Sequence, residues 1–174
     1  MVIEFEQHSE DAIEFAHVYR ENEIELDDET SRVTGELEIA GTARRNAAVA
    51  QVKGKLLGHL EVACGRCLQP VSVALDVNFD ADFVTLETYE KADAEHQLSD
   101  GDFSVAVYDG EHIDIDEIVR EQVLLNLPTK QICQETCAGL CQTCGVNKNS
   151  ESCQCGSENL DPRWDALKEL KIKN

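Results

Sequence analysis

Hydrophobic and polar residues alternate with a period of two through the middle of this chain, from Ala48 to Phe83. The apolar residues occupy even positions at first and odd positions after Cys67, with Asp, Asn and Ser between them. This alternation predicts antiparallel strands that bury one face. Gly54 and Gly58 interrupt the first half, so we expect a bulge or a bend there that could divide it into two strands.

The segments around this region give weaker or different signals. Ser9–Arg20 fits either a helix capped by Ser9 or a strand, because its apolar residues also alternate. Glu87–Gly101 is polar and acidic, which predicts a loop. Phe103–Val107 predicts one more strand, which Asp109 and Gly110 would end.

Two helices are predicted after that strand. Asp114 is a candidate N-cap, and Ile115, Ile118, Val119, Val123 and Leu127 form an apolar stripe with the spacing of a helix. Pro128 would end this helix. Asp161 and Pro162 predict the start of a last helix, which contains Trp164, Leu167 and Leu170.

Composition limits the class of protein and of partner. The chain has 174 residues and a net charge of −20. No stretch has the roughly 18 apolar residues of a membrane span, and the acidic first residues do not resemble an export signal, so we expect a cytoplasmic protein. Naked nucleic acid would be repelled at long range, whereas a basic partner would be attracted. The charge also fits an ordinary acidic surface.

The cysteines carry the strongest chemical signal. Six of the eight lie between Cys133 and Cys155, in the pattern C-x3-C-x3-C-x2-C-x8-C-x-C. In a cytoplasmic protein, clustered cysteines usually bind metal. Cys141-Gln-Thr-Cys144-Gly145 has the form of a zinc knuckle, so these two cysteines are the surest ligands. The second pair of ligands must come from Cys133, Cys137, Cys153 and Cys155.

Several readings of these six cysteines stay open. A C-x-C pair cannot form the same knuckle, so the Cys153-Gln-Cys155 segment could contribute a single ligand. Zinc is favoured, an iron–sulfur cluster also takes four thiolates, and free or oxidised thiols or secreted-type disulfides are the remaining alternatives. A site of four thiolates leaves no open position for water, so we expect it to be structural.

Cys64 and Cys67 form a separate C-x2-C at or near the tip of the predicted hairpin. As metal ligands they need two more donors, which the spare C-terminal thiols could supply, and a second ion would then tie the two regions together. A redox pair would begin a helix, but Pro70 and a strand pattern follow. Two small residues that merely finish the hairpin remain the third alternative.

No motif of catalysis is visible, and the five histidines have no metal-ligand spacing with one another. We therefore expect no enzyme and no small-molecule substrate. One stretch departs from the acidic composition, because between positions 44 and 66 the cations outnumber the acids. These cations are candidates for an RNA contact, or are ordinary solvated positions: Arg44, Arg45, Lys53, Lys55 and Arg66.

Combined, these motifs resemble a known family. They are Cys64-Gly-Arg-Cys67-Leu-Gln-Pro70, the helix ending at Leu127-Pro128, Cys137-Ala-Gly-Leu-Cys141-x-x-Cys144-Gly145 with Cys153-x-Cys155, and Asp161-Pro-Arg163 before the last helix. The chain resembles the YceD-like family, whose bacterial members are described as large ribosomal RNA subunit accumulation proteins. The resemblance runs from about Val33 to Leu170 and is loose before Arg32.

The resemblance implies a non-enzymatic role in the synthesis, processing or stability of large-subunit ribosomal RNA. Some members of the family lack the full C-terminal cysteine set, so the resemblance does not imply that the metal module is essential. With the charge, it suggests binding to a basic ribosomal protein or assembly factor, or to the ribosomal RNA itself. A metal- or redox-sensing regulatory protein is the alternative.

The sequence thus predicts an α+β protein in three parts. Residues 1–32 form an acidic N-terminal segment, residues 33–128 a β-rich core with the helix at 114–127, and residues 129–174 a cysteine-rich zinc-knuckle module with a last helix. The sheet is expected to be antiparallel and could close into a barrel. One or two structural Zn²⁺ ions are expected, with these candidate ligands: Cys64, Cys67, Cys133, Cys137, Cys141, Cys144, Cys153 and Cys155.

Overall fold

The structure, a computed structural model, describes residues 1–5, 11–28, 30–46, 49–93 and 105–155. The predicted last helix after Asp161, and the predicted strand position Phe103, lie outside these residues. The elements follow in the order β1 (Val2–Glu4), β2 (Ile13–Tyr19), β3 (Ser31–Asn46), β4 (Val49–Ala63), β5 (Pro70–Thr85), α1 (Leu86–Asp93), β6 (Val105–Tyr108), β7 (His112–Asp114) and α2 (Ile115–Leu125).

Five strands form one open sheet in the order β2-β3-β4-β5-β6, and β1 pairs with β7 in a separate two-stranded sheet. The prediction of a closed barrel was wrong. Closure would require the edge strands β2 and β6 to pair, and within the described residues they do not. The sheet is also not wholly antiparallel, because β6 runs parallel to β5. A parallel partner needs a longer connection than a hairpin turn, and the chain between β5 and β6 includes α1.

The alternating pattern of β4 and β5 is confirmed as one buried face. Ala50, Val52, Leu56, Leu60 and Val62 of β4 are buried, and Leu75 and Phe79 of β5 lie against them in the same core. Helix α2 covers this core with Ile115, Ile118, Val119 and Val123, four residues of the predicted stripe. The helix ends at Leu125, so Leu127 of that stripe lies beyond it, partly buried against the same core. Its N-cap is Asp114, whose carboxylate accepts the backbone N–H of Asp116.

The expected break at Gly54 and Gly58 was wrong, because β4 is continuous through both residues. The glycines serve close packing. In one row across four strands, Phe15 pairs with Gly41, Gly41 with Gly54, and Gly54 with Phe79. A Cβ atom at Gly54 would lie 2.7 Å from the Phe79 ring, so the glycine leaves room for that aromatic side chain. The irregularity in register falls instead in β3, between Thr34 and Glu38.

The structure decides two further predictions, one that left helix and strand open and one that predicted a loop. The part of Ser9–Arg20 that the structure describes contains strand β2, so the strand alternative is confirmed there. The predicted loop at Glu87–Gly101 was wrong for its first part, which belongs to α1. Leu, Glu, Lys and Ala are good helix formers, and their propensity explains the helix better than the polarity of the segment explains a loop. Neither described helix has the length and apolar character that a bilayer span requires.

Candidate metal centre: two groups of four cysteines

All eight cysteines fall into two groups of four. We name the first the hairpin group, which consists of Cys64, Cys67, Cys133 and Cys137. We name the second the module group, which consists of Cys141, Cys144, Cys153 and Cys155. Within each group the sulfur atoms all lie within 4.8 Å of one another, and all eight are free thiols.

The hairpin group joins two distant parts of the sequence. Cys64 and Cys67 lie in the turn between β4 and β5, as the alternation predicted, and Cys133 and Cys137 come from the segment after α2. The Cys64 and Cys137 sulfurs are 4.0 Å apart, and the Cys67 and Cys133 sulfurs are 3.6 Å apart. Both separations are far longer than a disulfide bond of about 2.05 Å. They are close to the roughly 3.8 Å edge of a tetrahedron whose metal–sulfur bonds are about 2.3 Å.

Backbone hydrogen bonds also fasten the segment after α2 to the turn. The N–H of Gly65 donates to the Gln131 carbonyl, and the N–H of Leu140 donates to the Arg66 carbonyl. The Arg66 side chain donates in turn to the carbonyls of Glu135 and Cys137. The turn between β4 and β5 therefore both donates hydrogen bonds to the segment after α2 and accepts one from it. These bonds help to position the sulfurs of the hairpin group.

Both C-x2-C segments form the same kind of turn. The Cys64 carbonyl accepts the N–H of Leu68, and the Cys141 carbonyl accepts the N–H of Gly145. Leu68 and Gly145 occupy matching places with positive φ, 59° and 75°. Glycine adopts this left-handed conformation easily and leucine does not, so the first turn has a less favourable backbone than the second.

The electrostatics of the two turns also match. Backbone N–H groups of Arg66 and Cys67 donate to the Cys64 sulfur and lower its pKa to about 6. Backbone N–H groups of Cys144 and Thr143 lower the pKa of Cys141 to about 6 in the same way. Because the metal ligand is the thiolate, these amides prepare one sulfur in each group for coordination.

The remaining sulfurs differ in their surroundings. Partial loss of water around its sulfur raises the pKa of Cys133 to about 12, and the hydrogen bond to Cys144 raises the pKa of Cys155 to about 12. In a cluster of four thiols without a counter-ion, ionising one sulfur disfavours ionising its neighbours. A divalent cation supplies the positive charge that lets four thiolates share one site. The donor set and its geometry thus fit a single tetrahedral ion in each group.

Asn149 links the two groups, and the cysteine spacing gave no signal for it. Its side-chain N–H donates to the Cys137 sulfur at 3.3 Å, and its side-chain oxygen accepts the N–H of Ala138 at 2.7 Å. The residue comes from the turn between Cys144 and Cys153, in the middle of the module group. Tertiary folding alone brings this side chain to the Cys137 sulfur.

The structure brings together the sulfurs that the sequence had left unassigned. The expectation that Cys153 and Cys155 could supply only one ligand differs from the geometry, in which both sulfurs belong to the module group. The C-x-C segment does not need to form a knuckle, because its two sulfurs join those of Cys141 and Cys144, which already form one. Whether each of the eight binds a metal ion stays a prediction.

Four of the five candidate RNA-contacting cations contact other groups of the protein, and an RNA contact by any of the five stays a prediction. Lys53 pairs with Asp80 and Lys55 pairs with Asp76, both at 2.9 Å. Arg45 donates to the Gly110 carbonyl and lies over the Phe5 ring. Arg66 is engaged with the cysteine-rich segment, as described above, and Arg44 is exposed on β3. The carboxylates that pair with the two lysines lie on β5, so the count of charges between positions 44 and 66 did not include them.

Comparisons with known proteins give one family match and several relatives. Residues 52–171 match the family model described as large ribosomal RNA subunit accumulation protein YceD. An uncharacterised protein of Mycobacterium tuberculosis is 34% identical over 107 residues, which cover 62% of this chain and 48% of that protein. The chain therefore spans about half the length of the mycobacterial relatives that it matches.

Two plant relatives have informative names. A protein of Arabidopsis thaliana named large ribosomal RNA subunit accumulation protein YCED homolog 1, chloroplastic, is 37% identical over 59 residues, covering 34% of this chain and 18% of that protein. The Zea mays protein of the same name is 28% identical over 123 residues, covering 58% of this chain and 42% of that protein. No solved structure matches the chain.

Proposed function

This chain belongs to the YceD family, and we propose that it supports the accumulation of large-subunit ribosomal RNA without catalysing a reaction. The observation that carries this proposal is the family match over residues 52–171, which includes β5, α2 and all eight cysteines. The names of the plant relatives support the same role.

We further propose that the protein acts by binding a basic ribosomal protein or assembly factor. The net charge of −20 favours such a partner over naked RNA. The local structure also supports this choice, because Lys53 and Lys55 are paired with carboxylates and Arg66 is bonded to backbone carbonyls. A phosphate would have to compete with these contacts.

Each cysteine group, in this proposal, holds one structural zinc ion. The ion would supply the charge that keeps four thiolates together, and with four protein ligands it would leave no position for a substrate. The hairpin group would fasten residues 131–155 to the sheet, and the module group would order that segment internally. Sulfurs within 4.8 Å of one another leave room for a single ion, which favours zinc over a cluster of several irons.

The role in ribosomal RNA accumulation is tested by depleting the protein in its own cells and measuring the ratio of large-subunit to small-subunit ribosomal RNA. We expect the ratio to fall and the unaltered gene to restore it. A Cys64→Ser, Cys67→Ser double variant tests the contribution of the hairpin group, with Gln142→Ala as the control, since Gln142 is exposed and lies inside the other knuckle. An unchanged ratio on depletion would reject the proposed role.

A further inference from the structure

A groove lies between edge strand β6 and helix α2, on a part of the molecule that the cysteines do not reach. It has a volume of about 630 Å³. Residues of β6 form one side, α2 and β7 form the other, and Val2 and Phe83 complete the lining.

The lining of the groove combines exposed apolar side chains with carboxylates. Val2 is 53% exposed and Val107 is 48% exposed, and both line this groove. Four carboxylates border the same groove, and its lining residues include no lysine and no arginine. They are Asp109, Asp114, Glu117 and Glu121.

These carboxylates differ in how far they are already satisfied. Asp109 bonds to His112, and Asp114 caps α2. Glu117 and Glu121 are exposed, lie one helical turn apart on α2, and have no cationic partner among the described residues. Two like charges at this spacing repel one another, and a cation bound between them would remove that repulsion.

The outer face of the sheet provides the contrast. There the carboxylates Glu61, Asp76 and Asp80 each pair with a lysine or arginine of a neighbouring strand. These three carboxylates are thus neutralised by neighbouring cations, whereas, among the described residues, Glu117 and Glu121 beside the groove are not.

We propose that this groove docks a basic segment of a partner protein that carries alternating cationic and apolar side chains. The inference rests on the proposed function and specifies the surface that the basic partner would use. Cations of the segment would meet Glu117 and Glu121, and apolar side chains would cover Val2 and Val107. Strand β6 has no second neighbouring strand within the described residues, so an extended segment could also use its backbone N–H and C=O groups.

The test measures binding of a twelve-residue peptide of alternating lysine and valine to the full chain at low salt. We expect the Glu117→Gln, Glu121→Gln double variant to bind it roughly five- to tenfold more weakly, from two exposed charge contacts. The matched control is Glu14→Gln, Glu38→Gln, which removes the same two charges from exposed positions on β2 and β3. The control should bind like the unaltered protein.

A second variant separates the apolar contribution from the charge. Val107→Ser should weaken binding of the lysine–valine peptide and leave a lysine–glycine peptide of equal charge unaffected. Equal loss of binding in both glutamate double variants would overturn the proposal that the groove docks the peptide, because it would show attraction by net charge alone. Unchanged binding in Glu117→Gln, Glu121→Gln would overturn it as well.

A photo-crosslinking residue at position 107 decides between occupants, using purified large-subunit ribosomal proteins and ribosomal RNA as probes. Crosslinks to a basic protein support the proposal. Crosslinks to RNA, to a second copy, or to this chain's own residues 161–174, which include Arg163, Lys168 and Lys171, overturn it. If salt-sensitive binding of ribosomal proteins persists without any effect of the groove variants, the groove is rejected and the proposed partner class stands.

Discussion

The sheet and the cysteine-rich segment reach a defined structure by different physical means. In the sheet, Leu37, Leu56 and Leu60 are completely buried, and removal of apolar surface from water stabilises the fold. In residues 131–155, the buried side chains are those of Cys137 and Cys141. A segment this short with so little apolar burial needs a cross-link or a bound metal ion to stay ordered. The two groups of sulfurs are the candidate ligands for such ions. The comparison predicts that the cysteine-rich segment is ordered by metal ligation, beside a sheet that is ordered by hydrophobic burial.

The largest effect that would sharpen this comparison is expected from metal removal. A strong chelator should release two zinc ions per chain and abolish amide protection in residues 131–155, while β3, β4 and β5 keep theirs. The physical reason is that a large hydrophobic core holds the sheet, whereas the described residues around 131–155 form a small cluster of Cys64, Cys67 and Cys137 with Val71, Ile132 and Leu140. Hydrogen exchange followed by mass spectrometry, with elemental analysis of the zinc content, measures both effects.

Single variants distinguish the two groups within that experiment. Cys64→Ser and Cys141→Ser should each cost one zinc ion, but only Cys64→Ser should expose the turn between β4 and β5. The module group should also lose its metal first, because three of the four cysteines in the hairpin group are buried, whereas in the module group only Cys141 is buried. A protein that contains no zinc, or that keeps full protection after chelation, would contradict this interpretation.

The next largest effect is expected from Leu56→Ala in the centre of the sheet. Leu56 is 0% exposed, so the substitution should lower the free energy of unfolding by about 2–5 kcal/mol through lost burial and a cavity. Zinc content per folded molecule should not change, since the sulfurs lie elsewhere. Urea unfolding monitored by circular dichroism provides the measurement.

The matched control for Leu56→Ala is Leu125→Ala, at a residue that is 69% exposed. It should change stability by no more than about 0.5 kcal/mol. Equal destabilisation by the two substitutions would show that burial does not distinguish these positions, and the contrast between the two regions would lose its basis.

The smallest effect is expected from Asp109→Asn in the turn between β6 and β7. The Asp109 carboxylate accepts the backbone N–H groups of His112 and Glu111, and these bonds lower its pKa to about 2. Its bond to the ring raises the pKa of His112. The variant should therefore lower the pKa of His112, as measured by an NMR titration of the ring protons.

The direction of the pH effect follows from these two shifts. The Asp109 contribution to stability is present above the unfolded pKa of about 3.9 and is lost as the pH falls towards 2. The His112 contribution is present below about pH 6.5 and is lost as the pH rises through the raised pKa. An unchanged His112 pKa in Asp109→Asn would show that the turn does not depend on this contact.

Much of the fold was predictable because a period of two or of 3.6 residues reports burial directly. The even positions of β4 and the stripe on α2 were assigned correctly for this reason. The break at Gly54 was predicted incorrectly because a glycine in a strand can signal either a bulge or a close approach. Only the neighbouring Phe79 ring, which is brought there by the register of β5, distinguishes the two.

The candidate site shows the same division between local and distant information. The C-x2-C spacing determined two turns whose backbone amides face a sulfur, because that geometry needs only five consecutive residues. Assignment of Cys133 and Cys137 to the turn between β4 and β5, and of Asn149 to the Cys137 sulfur, required the path of the chain. The carboxylates that pair with Lys53 and Lys55 were likewise hidden in another strand.

The sequence by itself determined which residues are buried in the strands and in α2 and where the knuckles turn, since both depend on neighbours in the chain. It also determined how acidic the protein is, because net charge depends on composition alone. The tertiary structure alone decided that the sheet stays open, which four sulfurs meet, and which acids remain unpaired beside an apolar groove. Those outcomes depend on contacts between residues far apart in the chain, and local pattern contains no information about which distant residues will meet.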